Sequence, residues 1–125
     1  MPHLLLVMIG GALGAGARYE VGRWTLRHLA TPYPWGTLTV NLVGGLLMGL
    51  LAGFFFGRNP ADQTLWLFLG VGVLGGFTTF SAFSFDMFAM IERGQWAGAA
   101  SYALVSVIGA LALFFLGFWL ARLAA

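Results

Sequence analysis

The stretch GVGVLGGFTTFSAFSFD, residues 70–86, gathers side chains that could do chemistry inside an otherwise apolar segment. The pair Gly75-Gly76 lowers helix propensity, and the hydroxyl side chains after it can compete for backbone hydrogen bonds: Thr78, Thr79 and Ser81. A helix interrupted here would expose carbonyl oxygens, which hold cations, and N–H groups, which attract anions. A kink against a neighbouring helix would explain the same residues. Residue types alone favour neither an ion site nor a kink.

Two phenylalanines in this stretch share a helix face, because Phe80 and Phe83 are three residues apart. Such a pair usually packs against lipid or protein. An aromatic ring also has a partially positive edge that attracts an anion. A small anion in a narrow, dry path would use ring edges, hydroxyls and amide N–H groups, since full positive charges would bind it too tightly for release.

Other polar residues at membrane depth are few, and each is informative because it is costly there. The amide of Asn41, in GTLTVNLVGG, can either hold two helices together or bind a ligand. Tyr102 and Ser106 are four apart on one helix face and form either a polar track or interhelical bonds. In GARYE, we expect Arg18 to snorkel or to cap a neighbouring helix end, with Glu20 offsetting its charge.

The elements that position these residues are predicted to be membrane helices. The chain has 125 residues, of which 60% are hydrophobic and 8% charged, whereas soluble domains carry about 25% charged residues. A span needs roughly 20 mostly apolar residues. We therefore predict an all-α integral membrane protein with one four-helix domain, its spans at about 3–29, 37–56, 65–91 and 96–123.

Charge and composition exclude several classes of function. The chain has no cysteine, which excludes disulfides and cysteine-based metal sites. Six cationic side chains are too few and too scattered for nucleic-acid binding. Four spans would place Arg58 and Arg122 on one side of the membrane and three arginines on the other: Arg23, Arg27 and Arg93. So weak a bias leaves two alternatives, an orientation fixed by other cues or insertion in both orientations with antiparallel pairing.

Glycines spaced four apart predict close helix packing and oligomerisation. The second span carries the longest such stripe, and shorter ones lie on the first and third spans: Gly45, Gly49, Gly53 and Gly57; Gly10 and Gly14; Gly72 and Gly76. Small residues at this spacing let helix backbones approach closely in lipid.

With these motifs in order, the chain resembles the Fluc (CrcB) family of fluoride channels over nearly its whole length. The resemblance rests on GGALGAGARY at 10–19, GTLTVNLVGG at 36–45, GVLGGFTTFSAFS at 72–84, and a fourth span with Tyr102 and Ser106. It implies an antiparallel, dual-topology homodimer in the bacterial inner membrane. It further implies a third helix broken mid-membrane and two narrow pores per dimer, through which fluoride leaves the cytoplasm passively.

The resemblance also implies roles for individual residues. The ring edges of Phe80 and Phe83 would face the fluoride ion, and Asn41 would donate hydrogen bonds to it. A polar track would be lined by Thr79, Ser81, Tyr102 and Ser106. Backbone carbonyls of Gly75 and Thr78 from each subunit would hold a central sodium ion, and Arg18 would lie in the vestibule region. Ala110 departs from the pattern, because some members continue the track there with serine.

Three other functions compete with a channel. A small multidrug-type, proton-coupled exporter needs a membrane-embedded carboxylate, and Glu20 lies towards the end of the first span beside Arg18. A non-transporting membrane assembly subunit would explain the glycine stripes but not the unusual third span. An enzyme is disfavoured because the sequence shows no convincing nucleophile–base pair, with His3 and His28 towards opposite ends of the first span.

Overall fold

Four membrane-length helical segments make up the fold. The computed structural model describes residues 2–56 and 63–124, and four segments in these ranges are long and apolar enough to cross a membrane. Helix α1 spans Pro2–His28, α2 spans Trp35–Phe55, and the last helix spans Trp96–Ala124. The third segment, Gln63–Glu92, is composite. The prediction of an all-α membrane protein with four spans is confirmed, with ends that differ by at most two residues from those expected.

The third segment changes its helical form along its length. A short α3 (Gln63–Trp66) leads into a π-helical segment, Leu67–Leu74, followed by α4 (Gly75–Phe77) and α5 (Phe80–Glu92). The last helix, Trp96–Ala124, is α6. Between α4 and α5 the backbone is extended, with ψ 157° at Thr78 and φ −151° at Thr79.

The glycine pair is not where the backbone leaves helical geometry. Gly75 and Gly76 lie within α4, and the extended residues are the two threonines that follow. The interruption within the stretch 70–86 thus begins two residues after the glycine pair, at Thr78. Packing explains Gly76, because a methyl group there would collide with the carbonyl of Gly11. The close approach of α1, and not low helix propensity, explains why position 76 needs a glycine.

The glycine stripe of α2 packs directly against α6. A methyl group at Gly45 would lie 2.8 Å from the carbonyl oxygen of Ala110, and one at Gly53 would lie 2.5 Å from that of Phe118. Gly49, between them, meets the Phe114 carbonyl. The two helices therefore touch backbone to backbone over several turns, as the spacing predicted. Gly57, the fourth member of the stripe, lies outside the described residues.

The shorter stripes pair α1 with the third segment. A methyl group at Gly10 would lie 2.6 Å from the Phe68 carbonyl oxygen, and one at Gly72 would lie 3.1 Å from the Gly10 Cα. The glycines of both stripes thus contact each other's helices within one chain. The close packing that they predicted is confirmed as intrachain packing.

One compact cluster of buried side chains joins α2, α5 and α6. It contains Leu38, Met90, Ala99 and Tyr102. The turn between α5 and α6 closes beside it at Gly94, whose φ of 75° favours glycine. Outside such clusters most large apolar side chains are exposed, among them Leu13 at 58% and Ile108 at 62%. These outward apolar faces are suited to lipid or to a second copy of the chain.

The backbone contact between α2 and α6 yields a stability prediction. Replacing Gly49 with alanine should force these helices apart and destabilise the protein by about 1–3 kcal/mol. Thermal unfolding in detergent measures the change. The matched control is Gly16→Ala in α1, where a methyl group would meet nothing within 4 Å and should be neutral or stabilising by up to ~1 kcal/mol. Equal melting temperatures for Gly49→Ala and the wild type would contradict this packing.

Candidate functional site

The interruption of the third segment is held by the side chain of Asn41. The backbone N–H of Thr79 donates to Asn41 Oδ1 at 2.8 Å, and Asn41 Nδ2 donates to the Thr79 carbonyl at 3.0 Å. One amide side chain of α2 therefore satisfies both polar groups of a single residue in the extended link. An extended backbone at membrane depth needs such partners because lipid supplies none. Asn41 thus makes the interhelical bond considered from the sequence, which leaves one amide hydrogen for a ligand.

The hydroxyl of Thr79 caps the helix that follows. Its Oγ1 accepts from the backbone N–H of Ala82 at 3.1 Å, the usual geometry of a helix N-cap. The same oxygen lies 3.2 Å from Ser81 Oγ, and either hydroxyl can donate. Thr79 therefore starts α5 by using both its side chain and its backbone.

Two carbonyls near α4 accept hydrogen bonds from side chains. The Leu74 carbonyl accepts from the Thr78 backbone N–H at 3.0 Å and from Thr78 Oγ1 at 3.0 Å. The Gly76 carbonyl accepts from Arg18 Nε at 3.1 Å. Arg18 is thus a cap on a neighbouring helix end, one of the two structural roles expected for it. Glu20 does not pair with Arg18 but with Arg23, at 3.0 Å one turn further along α1.

An open groove of about 440 Å³ lies on one side of this interruption. Its lining brings together residues that the sequence singled out: Asn41, Thr78, Thr79, Phe80, Phe83, Ser106 and Ala110. Ser81, Tyr102, Gly75 and Arg18 are not among the residues that line it. Ala110 contributes a methyl group where a serine would have supplied a hydroxyl.

The aromatic pair of α5 begins a series of ring contacts. The centroids of Phe80 and Phe83 are 5.5 Å apart, and Phe83 lies 5.1 Å from the ring of Tyr102. Tyr33 continues the series with an edge-on contact to Tyr102 at 5.7 Å. The first ring is 77% exposed and the Tyr102 ring is fully buried. The series therefore leads from the open groove into the interior of the helix bundle.

Ser106 contributes an unpartnered hydroxyl to the groove. The residue is only 7% exposed, and its Oγ has no hydrogen-bond partner among the described residues. Leaving a buried polar atom unsatisfied costs about 1–3 kcal/mol. Because Ser106 lines the groove, a ligand there would supply the missing partner.

Tyr102 and Ser106 share a helix face but differ in what they bind. The Tyr102 hydroxyl donates to Asp86 Oδ2 at 2.9 Å, whereas Ser106 faces the groove. Asp86 also lines a separate cavity of about 250 Å³ with threonine hydroxyls from α1 and α2, Thr25 and Thr37. Asp86 was not singled out in the sequence analysis. The signal was present, because it is a carboxylate inside a span that is otherwise almost uncharged.

A third cavity, of about 250 Å³, lies between α1, α2 and α5. Arg18 and Thr79 both line it, and Thr79 also lines the open groove. The extended link thus lies between a groove lined by the unpartnered Ser106 hydroxyl and a cavity lined by the positively charged Arg18 side chain.

Side-chain metal ligands are not grouped in the described part of the chain. Within residues 2–56 and 63–124, three or more His, Cys, Asp or Glu side chains do not come together. A cation at this site would therefore depend on backbone oxygens, which suit hard cations such as sodium.

The buried Tyr102–Asp86 bond gives a second prediction. Tyr102→Phe should lower the free energy of unfolding by about 1–3 kcal/mol, because the carboxylate loses its donor. Thermal unfolding in detergent gives the comparison. Tyr19→Phe is the matched control, since that ring is 65% exposed on α1. If Tyr102→Phe melted no lower than the control, the bond to Asp86 would not be stabilising.

Comparison with known proteins places this architecture in a family. A family model described as CrcB-like protein, Camphor Resistance (CrcB), matches residues 5–118. A fluoride-specific ion channel FluC from Caulobacter sp. (strain K31) is 53% identical over 123 residues, which cover 98% of this chain and 96% of that protein. The protein of the same name from Phenylobacterium zucineum is also 53% identical over 123 residues, with 98% and 97% covered.

A third relative, again a fluoride-specific ion channel FluC, comes from Erythrobacter litoralis. It is 49% identical over 124 residues, covering 95% of this chain and 91% of the relative. All three names describe ion channels, which are not enzymes. With four apolar helices and relatives of this kind, the protein is a multi-pass membrane protein. The chain belongs to the Fluc (CrcB) family.

Proposed function

We propose that this protein is a passive, selective fluoride channel of the bacterial inner membrane that exports fluoride from the cytoplasm. The names of its relatives support this function. The observation that carries it is the buried Ser106 hydroxyl, which has no partner among the described residues and lines the same groove as Asn41, Phe80 and Phe83. These groups are the neutral donors and ring edges that suit a small anion.

The groove would replace the water around fluoride with several weak donors. Asn41 Nδ2 carries two hydrogens, and one of them donates to the Thr79 carbonyl. The second hydrogen and the Ser106 hydroxyl remain for the ion. Phe80 and Phe83 would offer ring edges in the same groove. Thr79, Ser81 and Tyr102 would complete the polar track at its ends. Neutral groups of this kind can compensate dehydration without holding the ion permanently.

Arg18 would act from behind the extended link. Its Nε is bonded to the Gly76 carbonyl, and its side chain lines the cavity on the other side of Thr79. We assign it to a vestibule, where a positive charge attracts anions towards the path without binding them inside it.

A second copy of the chain is part of the proposal. The groove is open along one side, and Phe80 is 77% exposed at its edge. Four helices alone do not enclose this path. An antiparallel homodimer would close the groove of each subunit, giving two pores, and would fit the weak arginine bias. In this arrangement the extended link of the third span lies at mid-membrane depth.

A structural sodium ion at the dimer centre is also proposed, held by the backbone carbonyls of Gly75 and Thr78 from each subunit. The residues fit this role. In a continuous helix the Thr79 and Ala82 N–H groups would donate to the Gly75 and Thr78 carbonyls; here they donate to side chains instead. A bound sodium ion would offset the repulsion between the carbonyl oxygens that face one another where the two subunits meet.

The position of Asp86 bears on one alternative function, a proton-coupled exporter. A proton-coupled exporter needs a membrane carboxylate, and Asp86 is a carboxylate within the third span. Family membership favours the channel. A channel conducts without a proton gradient, whereas a coupled exporter does not.

The decisive measurement is anion release from liposomes containing the purified protein. With a potassium ionophore to collapse the potential and no proton gradient, we expect fluoride to leave and chloride to be retained. A fluoride-selective electrode follows the release. Fluoride release no faster than from protein-free vesicles would refute the channel. Release that appears only with an imposed proton gradient would identify a coupled exporter.

The same assay tests the residue assignments. Phe80→Ile and Asn41→Asp should each slow fluoride by about tenfold or more, because each removes a favourable contact worth ~1–3 kcal/mol to the ion. Phe88→Ile is the matched control, a substitution at an exposed ring further along α5. Gel filtration verifies that the dimer is intact. Wild-type rates in both variants would show that the ion takes another path.

Antiparallel insertion can be tested on a natural cysteine-free background. A single cysteine at Gln95, in the turn between α5 and α6, should react with a membrane-impermeant maleimide from both faces of the membrane. About half of the protein should be labelled before permeabilisation, because dual topology presents each turn on both sides. Labelling from one face only would rule out dual topology.

A further inference from the structure

Two backbone N–H groups at the extended link have exchanged helical partners for side chains. The Thr79 N–H donates to Asn41 Oδ1 at 2.8 Å, and the Ala82 N–H donates to Thr79 Oγ1 at 3.1 Å. In an uninterrupted helix each would donate to the carbonyl four residues earlier, which are those of Gly75 and Thr78. Two side-chain oxygens have therefore displaced the two backbone carbonyls proposed as sodium ligands.

Neighbouring carbonyls at the same helix end behave differently. The Leu74 carbonyl accepts two hydrogen bonds from Thr78, and the Gly76 carbonyl accepts one from Arg18. The Leu74 carbonyl thus keeps its helical donor and the Gly76 carbonyl has a side-chain donor. The Gly75 and Thr78 carbonyls, by contrast, have lost the N–H groups that a continuous helix would supply.

We propose that Asn41 and Thr79 are positioning residues of the cation site. By binding the Thr79 and Ala82 N–H groups, their side-chain oxygens keep the Gly75 and Thr78 carbonyls available to sodium. The inference rests on the proposed function, because it gives a second role to residues of the fluoride groove. It follows that Asn41 links the two sites, with its oxygen serving the cation and its remaining amide hydrogen facing the anion.

A purely structural role for Asn41 and Thr79 predicts a different experimental result. If Asn41 and Thr79 only fastened α2 to the third segment, their loss would lower stability equally with and without sodium. If they position the carbonyls, their loss weakens the response to sodium itself. The informative quantity is therefore the sodium concentration that half-saturates the stabilisation, and not the melting temperature alone.

The experiment measures thermal unfolding of the purified dimer in detergent. Sodium chloride is exchanged for N-methylglucamine chloride at constant ionic strength. The wild type should be stabilised as sodium rises. Thr79→Val and Asn41→Leu remove the displacing oxygens while nearly keeping shape, and each should raise the half-saturating sodium concentration by about tenfold. Thr79→Ser keeps the hydroxyl and should restore the wild-type response.

Ser84→Ala serves as the matched control. Its hydroxyl donates to the Phe80 carbonyl at 3.0 Å and diverts no backbone N–H, so its removal should leave the sodium response unchanged. Wild-type sodium dependence in Thr79→Val and Asn41→Leu would overturn the inference. Should Asn41→Leu fail to fold, the Thr79→Val and Thr79→Ser pair decides alone.

The outcome separates this inference from the proposed function. If sodium does not stabilise the wild type, the protein has no such cation site and the inference is refuted. The liposome measurement of fluoride release is independent of that result. A wild type that responds to sodium, with variants that respond equally, refutes the positioning role and leaves the channel intact.

Discussion

The reciprocal bonding between the Asn41 amide and the backbone of Thr79 is the interaction on which the candidate site depends. Hydrocarbon offers no partners to an unpaired peptide group, so a chain can leave helical geometry inside a membrane only where protein replaces those partners. One side chain from α2 does so here for both polar groups of Thr79. That bond fixes where α5 begins, and hence where Phe80 and Phe83 stand relative to the groove.

Close backbone packing supplies the rigid frame for this bond. Gly49 lets α2 lie directly on α6, and Gly10 and Gly76 let α1 lie on the third segment. Because α2 carries Asn41 and α6 carries Ser106, the α2–α6 contact sets the distance across the groove. Backbone contact between helices gives less freedom than contact between flexible side chains, so the width of the groove is held nearly constant.

Sequence reasoning succeeded where one physical requirement dominates. Lipid requires long apolar runs, which gave the four spans, and close helix approach requires small residues at helical spacing, which gave the contact at Gly49. It did not locate the non-helical residues within the stretch 70–86, since helix propensity is a weak prior that tertiary contacts override. Gly76 is required by its contact with Gly11. Thr79 can leave the helix because Asn41 bonds both its N–H and its carbonyl. The pairing of Asp86 with Tyr102 joins two helices and has no local pattern.

The π-helical segment Leu67–Leu74 has a consequence for how this chain can change in length. A π turn holds more residues than an α turn, because its bonds reach one residue further back. The segment therefore stores surplus chain between the start of the third span and the extended link. Losing one residue there can be absorbed by returning a turn to α geometry, without shifting α5. Elsewhere in a membrane helix the same deletion would rotate every later side chain by about 100°. The third span can thus tolerate a single-residue deletion beside the extended link that positions the candidate site.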